Sequence, residues 1–404
     1  MRIGVVNWSS RRVGGVEQYI AVLIPALRQS GHAVAFWHEV DTPASRPRIE
    51  VPIDGLDICM TDSGLDASLK LLGDWQPDVL YVHGLTDVDV ERRVIEMAPS
   101  AFFLHSYTGT CISGGKAFTK PDIVPCQREF GWRCLAHYFP HGCGGRNPAT
   151  MWRQYRLQTD RLALMRRYSV ILTHSEHMKS EIGRHGLDAC VVPFPVEQVA
   201  QIGSRPPGAT WRLLYAGRMD ALKGGAVLLE ALSGVTATAK KPVHVTFAGD
   251  GPRRQEWEAR ARAIEAADPA LTIDFPGWVS QDRMNTLMCD ADLLVVPSLW
   301  PEPFGSIGPQ AAQHGVPAAA FNVGGISQWL EESVTGHLAP ADPPTPAGLA
   351  RAIAKCLADP AHHNELRTGA RRMADRFTME RHLPALVESL ERIAVRPAVE
   401  TVTA

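Results

Sequence analysis

Three charged residues in the second half of the chain have the types and spacing that could hold a phosphorylated ligand. Arg218 and Lys223 share a short loop bounded by Gly217 and Gly224, and Glu302 follows further along the chain. Arginine forks onto two phosphate oxygens and lysine adds a point charge, so together they can neutralise a diphosphate leaving group. The carboxylate could hold hydroxyl groups of the same ligand. The alternative is an exposed loop with two solvated charges.

The segment around Glu302 has the pattern of a strand followed by a tight turn and a helix. The apolar run 291–297 predicts a buried parallel strand, and Pro301 and Pro303 exclude regular structure directly after it. Gly305 permits a close turn before a predicted helix over 306–314. The carboxylate is therefore expected at the carboxyl end of a strand, beside the first amides of a helix, where open α/β sheets bind ligands.

Four motifs in this region together resemble the donor-site signature of the retaining glycosyltransferases of the GT-B fold, of the family-four type (glycosyltransferase group 1). They are Glu302-Pro-Phe-Gly, Gln310-Ala-Ala, Gly315-Val-Pro and Gly324-Gly325. That family usually has two glutamates eight positions apart, and here the second position is Gln310. An amide still hydrogen-bonds ribose hydroxyls but lacks the charge, a difference of roughly 1 kcal/mol.

The resemblance implies an α/β chain with two Rossmann-like, doubly wound parallel-sheet domains that face a cleft. Residues 1–195 are expected to form an acceptor domain, on which a C-terminal helix, 378–395, packs back. The stretch 196–208, which is rich in proline and glycine, is the predicted linker, and 209–377 is the predicted nucleotide-sugar donor domain. The expected partners are a nucleoside-diphosphate sugar and a hydroxyl acceptor.

The family pattern extends to further positions. The expected catalytic residues are His105, Glu302, Arg218 and Lys223. The expected donor contacts are Gly14, Gly15, Asp250, Trp278, Phe304, Gly305, Ser306, Ile307 and Gln310. Glu17 and His83 are expected on the acceptor side.

Some of these positions have a simpler interpretation. Gly14-Gly15 could be an ordinary tight turn, and Trp278 could equally belong to the core. His83 and His105 could be strand-terminal histidines satisfied by backbone, although both fall at ends of neighbouring strands that face one crevice. Ser106 replaces the aspartate that usually follows the family's histidine.

Four of the eight cysteines crowd into the long irregular stretch 106–148. Cys111, Cys126, Cys134 and Cys143 are separated by 14, 7 and 8 residues, unlike the close pairs of a zinc ribbon. A long loop without its own core could be held by a structural zinc ion on these thiolates. The alternative is four separate buried thiols that pack as small apolar groups. Catalysis itself needs no cofactor, because Arg218 and Lys223 take the role of a metal ion.

Composition excludes several other classes. The 404 residues carry a net charge of −2 with 45% apolar residues, which gives no reason to expect nucleic acid as a partner. No apolar run approaches the roughly 18 residues that span a bilayer, and residues 1–7 resemble a strand, so a cytoplasmic location is expected. The arginine-dense helix predicted over 150–167 leaves peripheral membrane contact open beside a solvated charged face. The oligomeric state is open.

Two other functions fit the same residues. One is a nucleotide-sugar epimerase or hydrolase, which would turn over donor without any acceptor. The other is a catalytically silent subunit that binds sugar nucleotides, an interpretation supported by Gln310 and Ser106.

Overall fold

The protein is built on two parallel sheets, one in each half of the chain. A computed structural model describes residues 1–51, 55–196 and 208–394. The predicted linker, 196–208, falls almost entirely on residues 197–207, which lie outside the described ranges. We call the part built on the first sheet the N-terminal lobe and the part built on the second sheet the C-terminal lobe.

The N-terminal lobe contains a parallel sheet of seven strands within the described ranges, in the order β3-β2-β1-β4-β5-β8-β9. Its strands are β1 (Arg2–Ser9), β2 (Ala33–Val40), β3 (Leu56–Cys59), β4 (Val79–Val82), β5 (Ser100–Phe103), β8 (Val170–Thr173) and β9 (Cys190–Val191). The helices of this half are α1 (Gly15–Gln29), α2 (Met60–Ser63), α3 (Leu65–Asp74), α4 (Val88–Ile95), α5 (Arg133–His137), α6 (Pro148–Met165) and α7 (Glu176–Gly183). An antiparallel pair, β6 (Ala117–Phe118) and β7 (Val124–Pro125), lies between β5 and α5.

The C-terminal lobe repeats this architecture with six parallel strands in the described ranges, in the order β12-β11-β10-β13-β14-β15. Its strands are β10 (Trp211–Ala216), β11 (Val243–Ala248), β12 (Leu271–Gly277), β13 (Leu293–Val296), β14 (Ala318–Phe321) and β15 (Gly336–Ala339). Its helices are α8 (Gly225–Thr236), α9 (Arg254–Ala267), α10 (Gln281–Asp290), α11 (Ile307–Gln313), α12 (Pro346–Leu357) and α13 (Pro360–Ala374). A 3₁₀ turn, Ala221–Lys223, precedes α8, and a second one, Gly324–Gln328, follows β14.

Local sequence explains these elements. The central strands β4, β5, β13 and β14 are buried along their whole length, as expected for parallel strands covered by helices on both faces. Several helices begin with a polar cap followed by proline at the first turn: Asn147 caps α6 before Pro148, and Asp359 caps α13 before Pro360. Proline suits this position because its missing N–H would have no helical partner.

The last helix, α14 (Met379–Glu391), lies against the first lobe. Leu386 and Leu390 are fully buried in the same apolar cluster as Ile3 and Val5 of β1. The chain therefore returns to its N-terminal half after it has completed the second sheet. Within the described ranges, no helix has the length and apolar character that crossing a bilayer requires.

Two segments are more ordered than the sequence indicated. Residues 57–66 mix polar and apolar residues without a clear periodicity, yet β3 pairs with β2 at the sheet edge and α2 follows it directly. The stretch 106–148 contains the β6-β7 pair and α5, which have a small apolar cluster of their own around Ile112, Phe130 and Tyr138. Short elements with polar residues lack a clear periodicity, and tertiary contacts stabilise them.

Candidate functional site

A cleft of about 880 Å³ lies between the lobes. Its walls are formed by residues that come after the ends of parallel strands. His105 follows β5, Arg218 follows β10 and Glu302 follows β13. The carboxyl edges of two sheets thus meet across one space, the position at which open α/β sheets bind ligands. Of the residues expected at the site, the cleft is lined by His105, Arg218, Lys223, Glu302, Gly15, Asp250, Trp278, Phe304, Gly305, Ser306 and Ile307.

The loop 301–304, which carries Glu302, is fixed through its backbone. Each of its four carbonyl oxygens accepts a hydrogen bond: Pro301 from Tyr107 Oη (2.7 Å), Glu302 from Gly325 N (2.7 Å), Pro303 from Ser175 Oγ (2.5 Å) and Phe304 from Trp329 Nε1 (2.7 Å). Two of these donors belong to the N-terminal lobe. The position of the Glu302 side chain therefore depends on contact between the lobes.

Gly324 packs directly beneath the same loop. Its φ is +58°, and a Cβ atom there would lie 2.2 Å from the carbonyl oxygen of Glu302. Only glycine combines this left-handed conformation with such a close backbone approach. The Gly324-Gly325 motif thus supports the acidic residue and does not itself line the cleft.

The charged side chains of the C-terminal wall form a connected group. Lys223 Nζ lies 2.7 Å from Glu302 Oε1, which also accepts a hydrogen bond from Ser298 Oγ at 2.5 Å. Glu302 is only 5% exposed, so its charge is compensated inside the protein by this lysine. Arg218 is different, because its side chain is 71% exposed and its Nε is 3.6 Å from Asp220 Oδ2.

The loops on this wall are pressed together by close glycine contacts. A Cβ at Gly249 would lie 2.0 Å from the carbonyl oxygen of Gly217. Asp250 follows Gly249 in the chain. Its Oδ2 lies 3.3 Å from Arg254 Nη1, and its Oδ1 accepts a hydrogen bond from the Gly251 N–H at 2.7 Å. The cleft is bordered here by backbone as much as by side chains.

The N-terminal wall carries a group of buried histidines. His83 Nδ1 and His105 Nε2 are 2.8 Å apart, so one ring donates a hydrogen bond to the other. Burial, and then the neighbouring His174 and His382, lower the pKa of His83 to about 3. Burial and His83 together hold the pKa of His105 well below its usual value. Both rings are therefore neutral near pH 7, so His105 can donate to or accept from a hydroxyl group.

A hydrogen-bonded chain connects this wall to the last helix. Tyr19 Oη lies 2.8 Å from both Tyr81 Oη and His382 Nε2. His382 Nδ1 is in turn 2.6 Å from the carbonyl oxygen of Pro193, just before the predicted linker. Burial lowers the pKa of His382 to about 4, so the chain is made of neutral groups.

Four of the expected residues do not line the cleft but lie beside it: Gly14, Glu17, His83 and Gln310. His83 is behind His105, and Gln310 lines a neighbouring cavity of about 80 Å³. Glu17 is buried, where its carboxylate accepts the N–H of Gly14 at 2.9 Å and the indole N–H of Trp8 at 2.8 Å. Glu17 therefore holds the Gly14 loop and does not line the cleft.

Trp278 is not a core residue, because 63% of it is exposed. The guanidinium of Arg46 stacks over its ring at 4.7 Å from the centroid, and both residues line the cleft. Arg46 comes from the N-terminal lobe and Trp278 from the C-terminal lobe. This cation–π contact joins the two walls at the mouth of the cleft.

Several cleft residues were not predicted from the sequence. These are Arg46, His174, Phe194, Ser298 and Trp300. His174 directly follows β8, so the strand-end rule that identified His83 and His105 could have identified it as well. Arg46 carries no comparable signal, because it lies in an irregular segment and its partner is more than two hundred residues away.

All four loop cysteines line one small cavity on the N-terminal lobe, away from the cleft. Burial raises the pKa of the Cys143 thiol to about 12, and the other three thiols act on it in the same direction. In the described part of the chain, no three or more His, Cys, Asp or Glu side chains are already arranged as a metal centre.

Known proteins resemble this chain over both lobes. Residues 210–359 match the family model described as glycosyl transferases group 1. A glycogen synthase of Mycobacterium tuberculosis is 30% identical over 411 residues, which cover 89% of this chain and 87% of that protein. A 2-deoxystreptamine glucosyltransferase of Streptomyces kanamyceticus is 32% identical over 202 residues, about half of each chain.

Solved structures share the fold at low identity. HepE of Anabaena, crystallised with UDP and glucose, superposes with a TM-score of 0.67 at 16% identity and covers 97% of this chain and 99% of that one. WaaG, a glycosyltransferase involved in lipopolysaccharide biosynthesis, gives a TM-score of 0.64 at 16% identity, with 97% and 99% covered. The predicted fold class, two Rossmann-like domains in the GT-B arrangement, is therefore confirmed. By its sequence relatives and its fold, this chain belongs to the group 1 glycosyl transferases.

Proposed function

We propose that this protein is a retaining glycosyltransferase that moves a hexose from a nucleoside-diphosphate sugar to a hydroxyl acceptor. One observation carries the proposal: Lys223, Glu302, Arg218 and His105, which come from both lobes, line one cleft. Two cations, one carboxylate and one neutral imidazole are the groups that a diphosphate and a sugar require. Family membership supports the reaction class, and HepE, a fold relative, was crystallised with UDP and glucose.

Lys223 and Arg218 are proposed to bind the diphosphate. An ammonium group has three N–H donors, so Lys223 can keep its bond to Glu302 and still donate to a phosphate oxygen. The exposed guanidinium of Arg218 is free to fork onto two further oxygens. As the bond between sugar and phosphate breaks, negative charge grows on the leaving group, and preorganised cations stabilise it.

Glu302 and His105 are proposed to hold the sugar. The carboxylate is fixed by Lys223, Ser298 and its backbone contacts, so it accepts sugar hydroxyls in a set orientation. His105, held neutral and oriented by His83, contacts another hydroxyl from the opposite wall. In the family mechanism, the acceptor attacks from the face that the phosphate leaves, without an established enzymic nucleophile.

Trp278, Asp250 and the backbone at 305–307 are proposed as further donor contacts, and Gly15 on the N-terminal wall as another. The two cations supply the charge that a divalent metal would otherwise supply. We therefore expect turnover without added Mg²⁺. The nucleotide base, the sugar and the acceptor are to be found by experiment, since small changes in a pocket decide them.

The test begins with a thermal-shift screen of nucleoside diphosphates and their sugars, because a ligand that binds only the folded form raises the melting temperature. Donors that bind are then incubated with hydroxyl acceptors, nucleoside diphosphate release is measured, and the anomeric configuration of the product is read by NMR. We expect acceptor-dependent release with retention. Equal release without acceptor would favour a hydrolase, and conversion of the donor into another nucleotide sugar would favour an epimerase. Binding without any turnover would favour a silent subunit, and an inverted product would contradict the retaining mechanism.

A further inference from the structure

We propose that Cys111, Cys126, Cys134 and Cys143 bind one Zn²⁺ ion in a structural site outside the cleft. All four side chains line the same small cavity, together with His137. Four cysteines with no other protein ligand form a common structural zinc centre, with zinc–sulfur distances of about 2.3 Å. The site would fold the segment 106–147, which joins the end of β5 to α6.

The fold brings together thiols that are far apart in the sequence. Cys111 lies in the turn after Tyr107, Cys126 directly follows β7, Cys134 belongs to α5 and Cys143 lies in the turn after it. Four different local elements thus place one sulfur each on one cavity.

The size of the cavity fits a single ion. Its volume is about 20 Å³, which is room for about one water-sized particle. In the described residues the sulfurs are not arranged as ligands, so side-chain rotations are needed to close a tetrahedron around a metal. Each thiol would release its proton to solvent as it coordinates, so zinc binding is expected to weaken as the pH falls.

Positive groups surround the cavity. The backbone N–H of Lys116 donates to Cys111 Sγ at 3.3 Å, as N–H groups do to metal-bound thiolates. The Lys116 and Arg128 side chains also line the cavity, and Lys116 Nζ donates to the Arg128 carbonyl at 2.7 Å. Four thiolates on Zn²⁺ carry a net charge of −2, which Arg128 would partly offset, whereas the charge of Lys116 is already compensated by Glu181. Lys116 is also buried against Glu181 of α7, which ties the segment to the lobe.

The apolar core of the segment is small. Its apolar cluster contains three buried side chains, those of Ile112, Phe130 and Tyr138. Ordering about 40 residues costs conformational entropy that so small a core does not offset. Small elements of this kind generally need a metal ion or another cross-link. Zinc would supply that cross-link.

The segment also reaches the other lobe. Ile123 packs against the core of the C-terminal lobe, and Gly115 faces Leu222, the neighbour of Lys223. Tyr107, at the start of the segment, donates to the carbonyl of Pro301 beside Glu302. Loss of zinc would therefore loosen one side of the cleft as well as the segment itself.

The direct test is metal content. Untagged protein, purified under reducing conditions without chelator, is analysed by plasma mass spectrometry, and we expect one zinc ion per chain. Cys126→Ser and Cys134→Ser should each lose the zinc. Cys59→Ser and Cys289→Ser serve as matched controls, because these cysteines are also partly buried but lie outside the segment, and both variants should keep it.

A second measurement covers variants that fail to fold. Wild-type protein loaded with Co²⁺ should show the thiolate-to-metal charge-transfer band and the intense visible bands of tetrahedral cobalt. The proposal would be overturned if wild-type protein contains no zinc, develops no such bands and has all four thiols open to alkylation. A mass four hydrogens lower, which shows two disulfides, would overturn it equally. Neither result would bear on the proposed glycosyl transfer, which is measured separately.

Discussion

The C-terminal wall of the cleft carries charge, whereas the N-terminal wall carries neutral rings apart from Arg46 at the mouth of the cleft. Lys223, Glu302 and Arg218 stand on the first, and His105 and His174 on the second. Both walls follow the ends of parallel strands, so the architecture does not cause the difference. The distribution matches a ligand with a charged diphosphate at one end and uncharged hydroxyls at the other. Under the proposed function, the two lobes use the same backbone plan for different halves of one reaction.

The strongest test of this contrast removes one charge from the C-terminal wall. Lys223→Ala should lower kcat roughly 100- to 1,000-fold, because the variant loses a preorganised cation where negative charge develops. The melting temperature of the variant reports whether it is folded. Steady-state release of nucleoside diphosphate measures the effect once a donor is known.

Lys241→Ala is the matched control for that variant. Lys241 also lies in the C-terminal lobe, and its Nζ is 4.5 Å from the centroid of the Trp211 ring. Lys223 Nζ is similarly placed, 5.2 Å from the centroid of the Trp300 ring. Lys241, however, does not line the cleft. Its removal should leave kcat within a few-fold of wild type. Equal losses in the two variants would mean that the charge of Lys223 has no special role.

A second test addresses the backbone beneath Glu302. Gly324→Ala should lower the free energy of unfolding by about 1–2 kcal/mol for the left-handed conformation, with about 1–3 kcal/mol more for the contact with the Glu302 carbonyl. Gly31→Ala isolates the first effect, because Gly31 has φ +83° and nothing within 4 Å of the added Cβ. Denaturant titration compares the two. Equal destabilisation would show that the close contact relaxes without cost.

A third test titrates the N-terminal wall. The pKa of His83 is lowered to about 3 and that of His382 to about 4, mainly by burial. In the unfolded chain both rings take up protons near pH 6.5, so the unfolded state binds more protons below that pH. The stabilisation from keeping them neutral is complete above about pH 6.5 and is lost as the pH falls toward the folded pKa values.

Each neutral ring should then contribute about 1.4 kcal/mol per pH unit to the slope of unfolding free energy between about pH 6 and pH 4. His83→Gln should lower this slope by the contribution of one ring, about 1.4 kcal/mol per pH unit. His244→Gln, which removes a histidine from outside the cluster, serves as the control. An unchanged slope in the His83 variant would show that the ring is protonated in the folded protein.

The charged residues of the C-terminal wall could be predicted from the sequence, while much of the N-terminal wall could not. Arg218, Lys223 and Glu302 lie in short motifs next to clear apolar strands, so local pattern alone placed them at strand ends. His174 obeys the same rule but no motif drew attention to it. Arg46 meets Trp278 only because the lobes close on each other, and local periodicity contains no information about such a contact.

The same distinction applies to the fold. Long apolar strands such as β1 and helices with polar caps were predicted within a few residues. The strand β3 was missed, because it has four residues, includes Asp57 and is stabilised by pairing with β2 at the sheet edge. The helix expected over 306–314 is shorter, Ile307–Gln313. Boundaries depend on packing that no window of sequence reports.

The smallest expected effect concerns Gln310, where the family usually has glutamate. Gln310 lines the small cavity beside the cleft together with Ser306 and Gln18, so a carboxylate there would remain near the donor without joining the group around Glu302. Gln310→Glu should therefore leave kcat intact or raise it, with a change below about 1 kcal/mol in activation free energy. Gln313→Glu adds the same charge on the same helix and the same cavity, and it shows how much of any change is electrostatic. A well-folded but inactive Gln310→Glu variant beside an active Gln313→Glu variant would mean that the amide itself is required. The charged C-terminal wall would then include one position, on α11, that has to stay neutral.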